Sequence, residues 1–149
     1  MNKVSMRHLA SLMLVLLVLV LAGCNAAPPA SAPSALFDAA QNSDGFADIS
    51  VAQLANALEN KNFTLVNVHI PYAGELPETD LFIPFNEIDS HEGELPDKDS
   101  PIVVYCRSGA MSTQAAATLV AAGYTQVYEL DGGMVAWTEA GHELLSGRK

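Results

Sequence analysis

The chain sets short apolar runs against stretches of helix formers, and the sharpest such unit is residues 102–123, I-V-V-Y-C-R-S-G-A-M-S-T-Q-A-A-A-T-L-V-A-A-G. Its first four residues are β-branched or aromatic and uniformly apolar, the pattern of a strand covered on both faces. Pro101 precedes them, where a strand tolerates proline. A tight loop opens with Cys106. The following helix carries Ala115, Leu119 and Ala122 at helical spacing and closes on Gly123, a residue suited to a left-handed cap. Upstream, 46–49 reads as a short edge strand. Ser50 and Gln53 then form a capping box for a helix whose apolar stripe is Leu54, Ala57 and Leu58, ending near Asn60. Residues 64–68 are the next buried strand. Residues 69–80 hold two prolines and a glycine and predict a loop. A brief extended piece at 81–84, a helical turn at 85–88 and a polar, acidic connection at 90–100 lead into the central strand. After Gly123 come a strand at 127–130, the turn Asp131-Gly132-Gly133, and a helix over 134–140 that carries Trp137 and is closed by Gly141. Strands alternating with helices predict an α/β fold, an open parallel β-sheet flanked by helices on both faces.

The first residues follow another pattern. Lys3, Arg7 and His8 precede an apolar run at 9–20 broken only by Ser11, and the run ends in Leu21-Ala22-Gly23-Cys24. It falls short of the about 20 residues a comfortable membrane span needs, and it has the layout of an export signal. Leu21-Ala22-Gly23-Cys24 resembles the bacterial lipobox. That resemblance implies diacylglyceryl transfer to the Cys24 sulfur, cleavage before it and acylation of the new amino terminus, and several acyl chains anchor stably where one does not. An uncleaved signal anchor, or plain cleavage after Ala22 or Ala27, are the alternatives. The Pro/Ala/Ser stretch at 25–34 is a spacer. The expected organisation is a lipoprotein signal peptide at 1–23, the lipidated Cys24 with its linker at 24–35, and one domain at 36–149. The expected location is the cell envelope, extracytoplasmic, on a bacterial membrane.

Charge narrows the partners. The chain has 17 Asp and Glu against 7 Lys and Arg, for a net charge of −10. Loss of Lys3 and Arg7 with the signal leaves five bases and a net charge of −12. Such a surface repels nucleic acid and anionic lipid, which excludes both as partners and leaves the lipid anchor as the membrane contact. The four histidines lack metal-ligand spacing, so neither a metal nor another cofactor is expected. With Cys24 lipidated, Cys106 is the single free thiol and C-x-x-C redox chemistry is absent. Cys106 would lie at the carboxyl end of a strand, just before a helix N-terminus. That edge of an open α/β sheet binds ligands and favours a thiolate. The competing reading is a buried cysteine serving as a small hydrophobe.

With V-V-Y-C-R-S-G-A-M-S followed by G-Y-x-x-V-Y-x-L-D-G-G-M-x-A-W-x-x-A-G, the chain resembles a single-domain rhodanese over about residues 49–144. The family's active-site loop typically begins C-R-x-G and often ends in Ser; here it is Cys106, Arg107, Ser108, Gly109, Ala110 and Met111, with Ser112 starting the helix. Two departures stand out. The family's Asp-Val-Arg is Asn67-Val68-His69 here, with the Ile-Pro of a later G-H-I-P-G-A kept as Ile83-Pro84. Met111 also stands where many thiosulfate users carry a base, so Arg107 is the only cation in the loop.

The resemblance implies a sulfurtransferase of the thiosulfate:cyanide type. Cys106 as nucleophile would take sulfane sulfur from thiosulfate, a polysulfide or a persulfide, and pass it to a thiol, cyanide or a protein acceptor. Residues 107–112 would bind the substrate, the loop curling its N–H groups toward the sulfur with Gly109 at positive φ. Arg107 either steers an anionic donor or points to solvent and pairs with a carboxylate. Ser108 and Ser112 are candidate hydroxyl donors, Ser112 equally a helix-start residue. Met111 would soften the pocket wall. His69 sits at the same edge, with a surface role as the plainer reading. Related phosphatases need C-x-x-x-x-x-R, and the Arg position here is Ser112, which argues against phosphate chemistry. A non-catalytic rhodanese-like binding or sulfur-carrier module is the alternative function.

Overall fold

The computed structural model describes residues 38–147. The expected signal peptide, Cys24 and linker lie outside the described residues. Five strands form one parallel sheet: β1 (Ala47–Ile49), β2 (Thr64–Asn67), β3 (Leu81–Phe82), β4 (Ile102–Tyr105) and β5 (Val127–Leu130), in the order β1-β5-β4-β2-β3. The all-apolar β4 is therefore the middle strand, and all four of its residues are buried. Three helices cover the sheet: α1 (Val51–Leu58), α2 (Ala110–Ala121) and α3 (Gly133–Glu139).

Helices lie on both faces, as the alternation of elements predicts. Successive strand residues point to opposite sides, so Val103 and Tyr105 of β4 join Ile49, Leu65 and Leu130 beneath Leu54 of α1 and Trp137 of α3. Ile102, Val104 and Cys106 face the other way, with Val66, Ile83 and Val127, beneath Ala115, Ala116 and Leu119 of α2. The alanines let α2 approach the sheet closely. That places the Cys106 thiol on the α2 side, at the foot of its own helix.

The capping box forms as expected: the Ser50 hydroxyl accepts from the Gln53 N–H, and the Gln53 side chain accepts from the Ser50 N–H at 2.9 Å. Two boundaries shift. α2 begins at Ala110 rather than Ser112, because Gly109 at φ 99° turns the chain into the helix two residues early. The helical turn expected at 85–88 is a 3-10 turn at Ile88–His91, preceded by a tight turn in which the Glu87 N–H donates to the Pro84 carbonyl. Ile88 is fully buried and pins the later position.

Candidate active site

Cys106 follows β4 directly, and its side chain is 2 % exposed. The surroundings of the sulfur are polar on one side, unlike those of a thiol buried only as a hydrophobe. The Gly109 N–H donates to Sγ at 3.2 Å and the Ser112 hydroxyl lies 3.3 Å from it. Burial pushes the thiol pKa up. The Ser112 hydroxyl and the N–H groups of Ser112, Ser108 and Met111 more than offset this, and the net shift is downward. A loop curled around its own first side chain therefore favours the thiolate.

The backbone of this loop is held from below by the Asp131-Gly132-Gly133 turn. The Met134 N–H donates to the Cys106 carbonyl and the Val135 N–H to the Arg107 carbonyl, both at 2.9 Å. Gly133 has φ 54°, and a Cβ there would sit 2.3 Å from the Cys106 carbonyl oxygen. Gly132, at φ 71°, would put a Cβ 2.7 Å from that of Ala136. Gly133 thus lets the start of α3 come into contact with the loop, Gly132 lets the turn close onto Ala136 of α3, and the second sequence signature supports the first physically.

The remaining loop residues separate by position. Arg107 and Ser108 are exposed, Gly109 and Met111 half-buried, Ala110 exposed and Ser112 buried. Among the described residues, Lys61 pairs with Asp80 and Lys98 with Glu92, but Arg107 makes no ion pair. Of its two readings, pairing with a carboxylate is thus absent. Arg107 instead borders a cleft of about 180 Å³ lined by Ala73, Met134, Val135, Thr138 and Leu144. The methionine in that wall is Met134. Met111 is half-buried and packs in part against the α2-side core. Ser112 is not the helix-start residue; its side chain turns inward, toward Sγ, the Gly109 carbonyl at 3.0 Å and the Glu129 carboxylate.

Two residues at the site went unassigned in the sequence. Glu129, in β5, is 3 % exposed, its Oε1 against the Ser112 hydroxyl. Burial raises its pKa; the Ser112 hydrogen bond works against this, Asp48 and Asp131 add to it, and the net is about 7. The visible signal was an acid at an inward position of V-Y-E-L, a strand otherwise apolar on that side. His69 lies at the end of β2, its imidazole held below its ordinary pKa by burial and by the Arg107 guanidinium. Its Nδ1 is buried with no hydrogen-bond partner among the described residues.

The sequence profile of the rhodanese-like domain matches residues 50–140. A sulfurtransferase from Allochromatium vinosum is 38 % identical over 86 residues, covering 56 % of this chain and 78 % of that protein. A thiosulfate sulfurtransferase GlpE from Shewanella oneidensis is 36 % identical over 96 residues, covering 64 % and 95 %. Among solved structures, a rhodanese-like domain protein from Staphylococcus aureus superposes with a TM-score of 0.56 at 28 % identity, over 66 % of this chain and 98 % of that one. The chain belongs to the rhodanese-like family. Its sulfurtransferase relatives, at 32–38 % identity, support a rhodanese-type sulfurtransferase.

Proposed function

We propose that the protein carries sulfane sulfur as a persulfide on Cys106. The observation behind this reading is the convergence of the Gly109 N–H and the Ser112 hydroxyl on a sulfur whose pKa is lowered in spite of burial. The Cys106 thiolate attacks the outer sulfur of a donor; a new S–S bond forms, the donor's own S–S bond breaks, and its electron pair leaves with sulfite or a thiolate. An acceptor nucleophile then attacks the outer sulfur of the persulfide, and the Cys106 thiolate is released with the electron pair of the broken bond. The donors that serve the thiolate are in place to serve the persulfide anion.

The donor favoured by this site is a polysulfide or organic persulfide rather than thiosulfate. A single loop cation, Arg107, faces an otherwise mainly apolar cleft, an arrangement suited to one anionic group on an apolar body. Intact mass after incubation with thiosulfate, and separately with a polysulfide, tests both parts. The expected result is a gain of one sulfur, greater with polysulfide, lost on adding cyanide or a thiol and absent in Cys106→Ser. A folded protein whose Cys106 alkylates yet takes sulfur from neither donor defeats the reading in favour of a non-catalytic module. We further propose that lipid on Cys24 holds the domain at the membrane; detergent-phase partitioning of the full chain that Cys24→Ser leaves unchanged would contradict it.

A further inference from the structure

Glu129 is a buried carboxyl that the sulfur relay above leaves without a task. From β5 it reaches the same hydroxyl that reaches the nucleophile. Pairing of β4 with β5 sets Val104 opposite Glu129, and the alternation of side chains turns Glu129 to the α2 side with Cys106. There the Ser112 Oγ lies 2.5 Å from Glu129 Oε1 and 3.3 Å from Cys106 Sγ, with the Gly109 carbonyl at 3.0 Å as a third neighbour. One hydroxyl proton cannot serve three acceptors. The arrangement is satisfied when Ser112 both donates and accepts, a hydroxyl having one donor and two lone pairs.

We propose that Glu129 holds the proton of Cys106, passed through the Ser112 hydroxyl, so that thiol and carboxyl share one proton across the catalytic cycle. In one state the Cys106 S–H donates to Ser112, and Ser112 donates to the Glu129 carboxylate. In the other, the protonated Glu129 donates to Ser112, and Ser112 donates to the Cys106 thiolate. The heavy atoms stay where they are; two protons shift along the chain and one negative charge moves from Glu129 to Cys106. The thiolate then attacks the donor while a neutral carboxyl sits behind it, so no second negative charge opposes the incoming anion. When the acceptor removes the outer sulfur, the pair returns to its starting form without exchanging a proton with water.

The groups facing Glu129 fit a carboxyl that keeps its proton. Asp48 of β1 and Asp131 beyond β5 disfavour its ionisation, Ser112 of α2 alone acts against them, and no base enters this set. Burial works in the same direction and places the carboxyl near neutrality, where a proton can be both held and released.

The proposal rests on the sulfur-carrying reading of Cys106, and the test separates the two. Alkylation of Cys106 with iodoacetamide is followed from pH 4 to 10, and sulfur loading is measured by mass on the same samples. Two groups sharing a proton titrate as a pair. Wild type is therefore expected to alkylate in two steps, and Glu129→Gln in one, with a rate near pH 6 no lower than that of wild type, because the amide keeps the neutral partner of the thiolate and removes the carboxylate that competes with it for the single charge. Ser112→Ala, which cuts the path, should also alkylate in one step. A one-step wild-type profile that overlays Glu129→Gln, in protein that still takes up sulfur, overturns the shared proton. The wild-type profile needs no variant, so a misfolded mutant does not rescue the idea. A two-step profile in protein that takes no sulfur leaves the proton pair standing and rejects the sulfur relay.

Discussion

The segments that follow β4 and β2 leave the same edge of the sheet from neighbouring strands, yet they use their polar groups in opposite ways. After β4, the N–H of Gly109 and the hydroxyl of Ser112 point at the Cys106 sulfur. After β2, donors and acceptors close on the segment itself. The buried Asn67 donates from Nδ2 to the Gly74 carbonyl and accepts at Oδ1 from the His69 N–H, both at 3.0 Å. Asp80 accepts from the Leu65 N–H at 2.7 Å, and Tyr105 reaches across from β4 to take the Leu76 N–H. One loop is arranged around a reacting atom, the other around its own backbone. The difference explains a departure from the family pattern: an amide at 67 donates to a carbonyl, which a carboxylate cannot do. Asn67 here is therefore a structural fastener beside the site.

The largest effect should come from breaking the support of the β4 loop. In Gly133→Ala, a Cβ 2.3 Å from the Cys106 carbonyl oxygen, at φ 54°, must force the loop and α3 apart. Strain and lost packing together should cost about 3 kcal/mol or more. Thermal unfolding would register this as a large fall in Tm, and sulfur loading would fall with it. A protein that kept both its Tm and its loading would mean that the α3 turn is not what holds the loop.

Glu129 gives the next effect, through pH. Its folded pKa of about 7 stands above the 4.5 of an ordinary glutamate, so the folded state binds the proton more tightly than the unfolded chain. The stability this contributes is fully present below pH 4.5 and is lost as pH rises through 7. A shift of this size corresponds to about 3 kcal/mol across that window. Urea unfolding at several pH values should show Glu129→Gln without this fall between pH 4.5 and 7, so that the variant gains on wild type as pH rises. Parallel curves for the two proteins would show that Glu129 titrates normally in the fold.

Much of this was legible in the sequence where it depended on neighbours along the chain. The apolar run 102–105, the capping box at Ser50 and the glycines at 109, 123 and 132–133 all act over a few residues, and the structure has strands, caps and positive φ at those places. Cys106 followed from its position between strand and helix. Glu129 did not, because its partner Ser112 is 17 residues away, and only the β4–β5 register combined with the packing of α2 brings the two together. The inward turn of Ser112 was hidden for a related reason. A serine near a helix start reads as a cap, and the early turn at Gly109 moved it inside the first turn of the helix.

The smallest effect sharpens the comparison from the other side. Tyr105 is the residue before the nucleophile, but the alternation of the strand sends its ring to the opposite face of the sheet. Its hydroxyl accepts from the buried Leu76 N–H at 3.0 Å and lies 2.7 Å from the Thr79 hydroxyl, and burial pushes its pKa up to about 12, so it works as a neutral group. Tyr105→Phe leaves the Leu76 N–H without its acceptor while Thr79 keeps its bond to the Leu76 carbonyl. The cost should be about 1–2 kcal/mol, a fall of several degrees in Tm for a domain of about 100 residues. The alkylation profile of Cys106 and its sulfur loading should not move. If Tyr105→Phe shifted the thiol profile as well, the β2 segment would be coupled to the reacting sulfur, and the division of labour between the two loops would fail one residue away from Cys106.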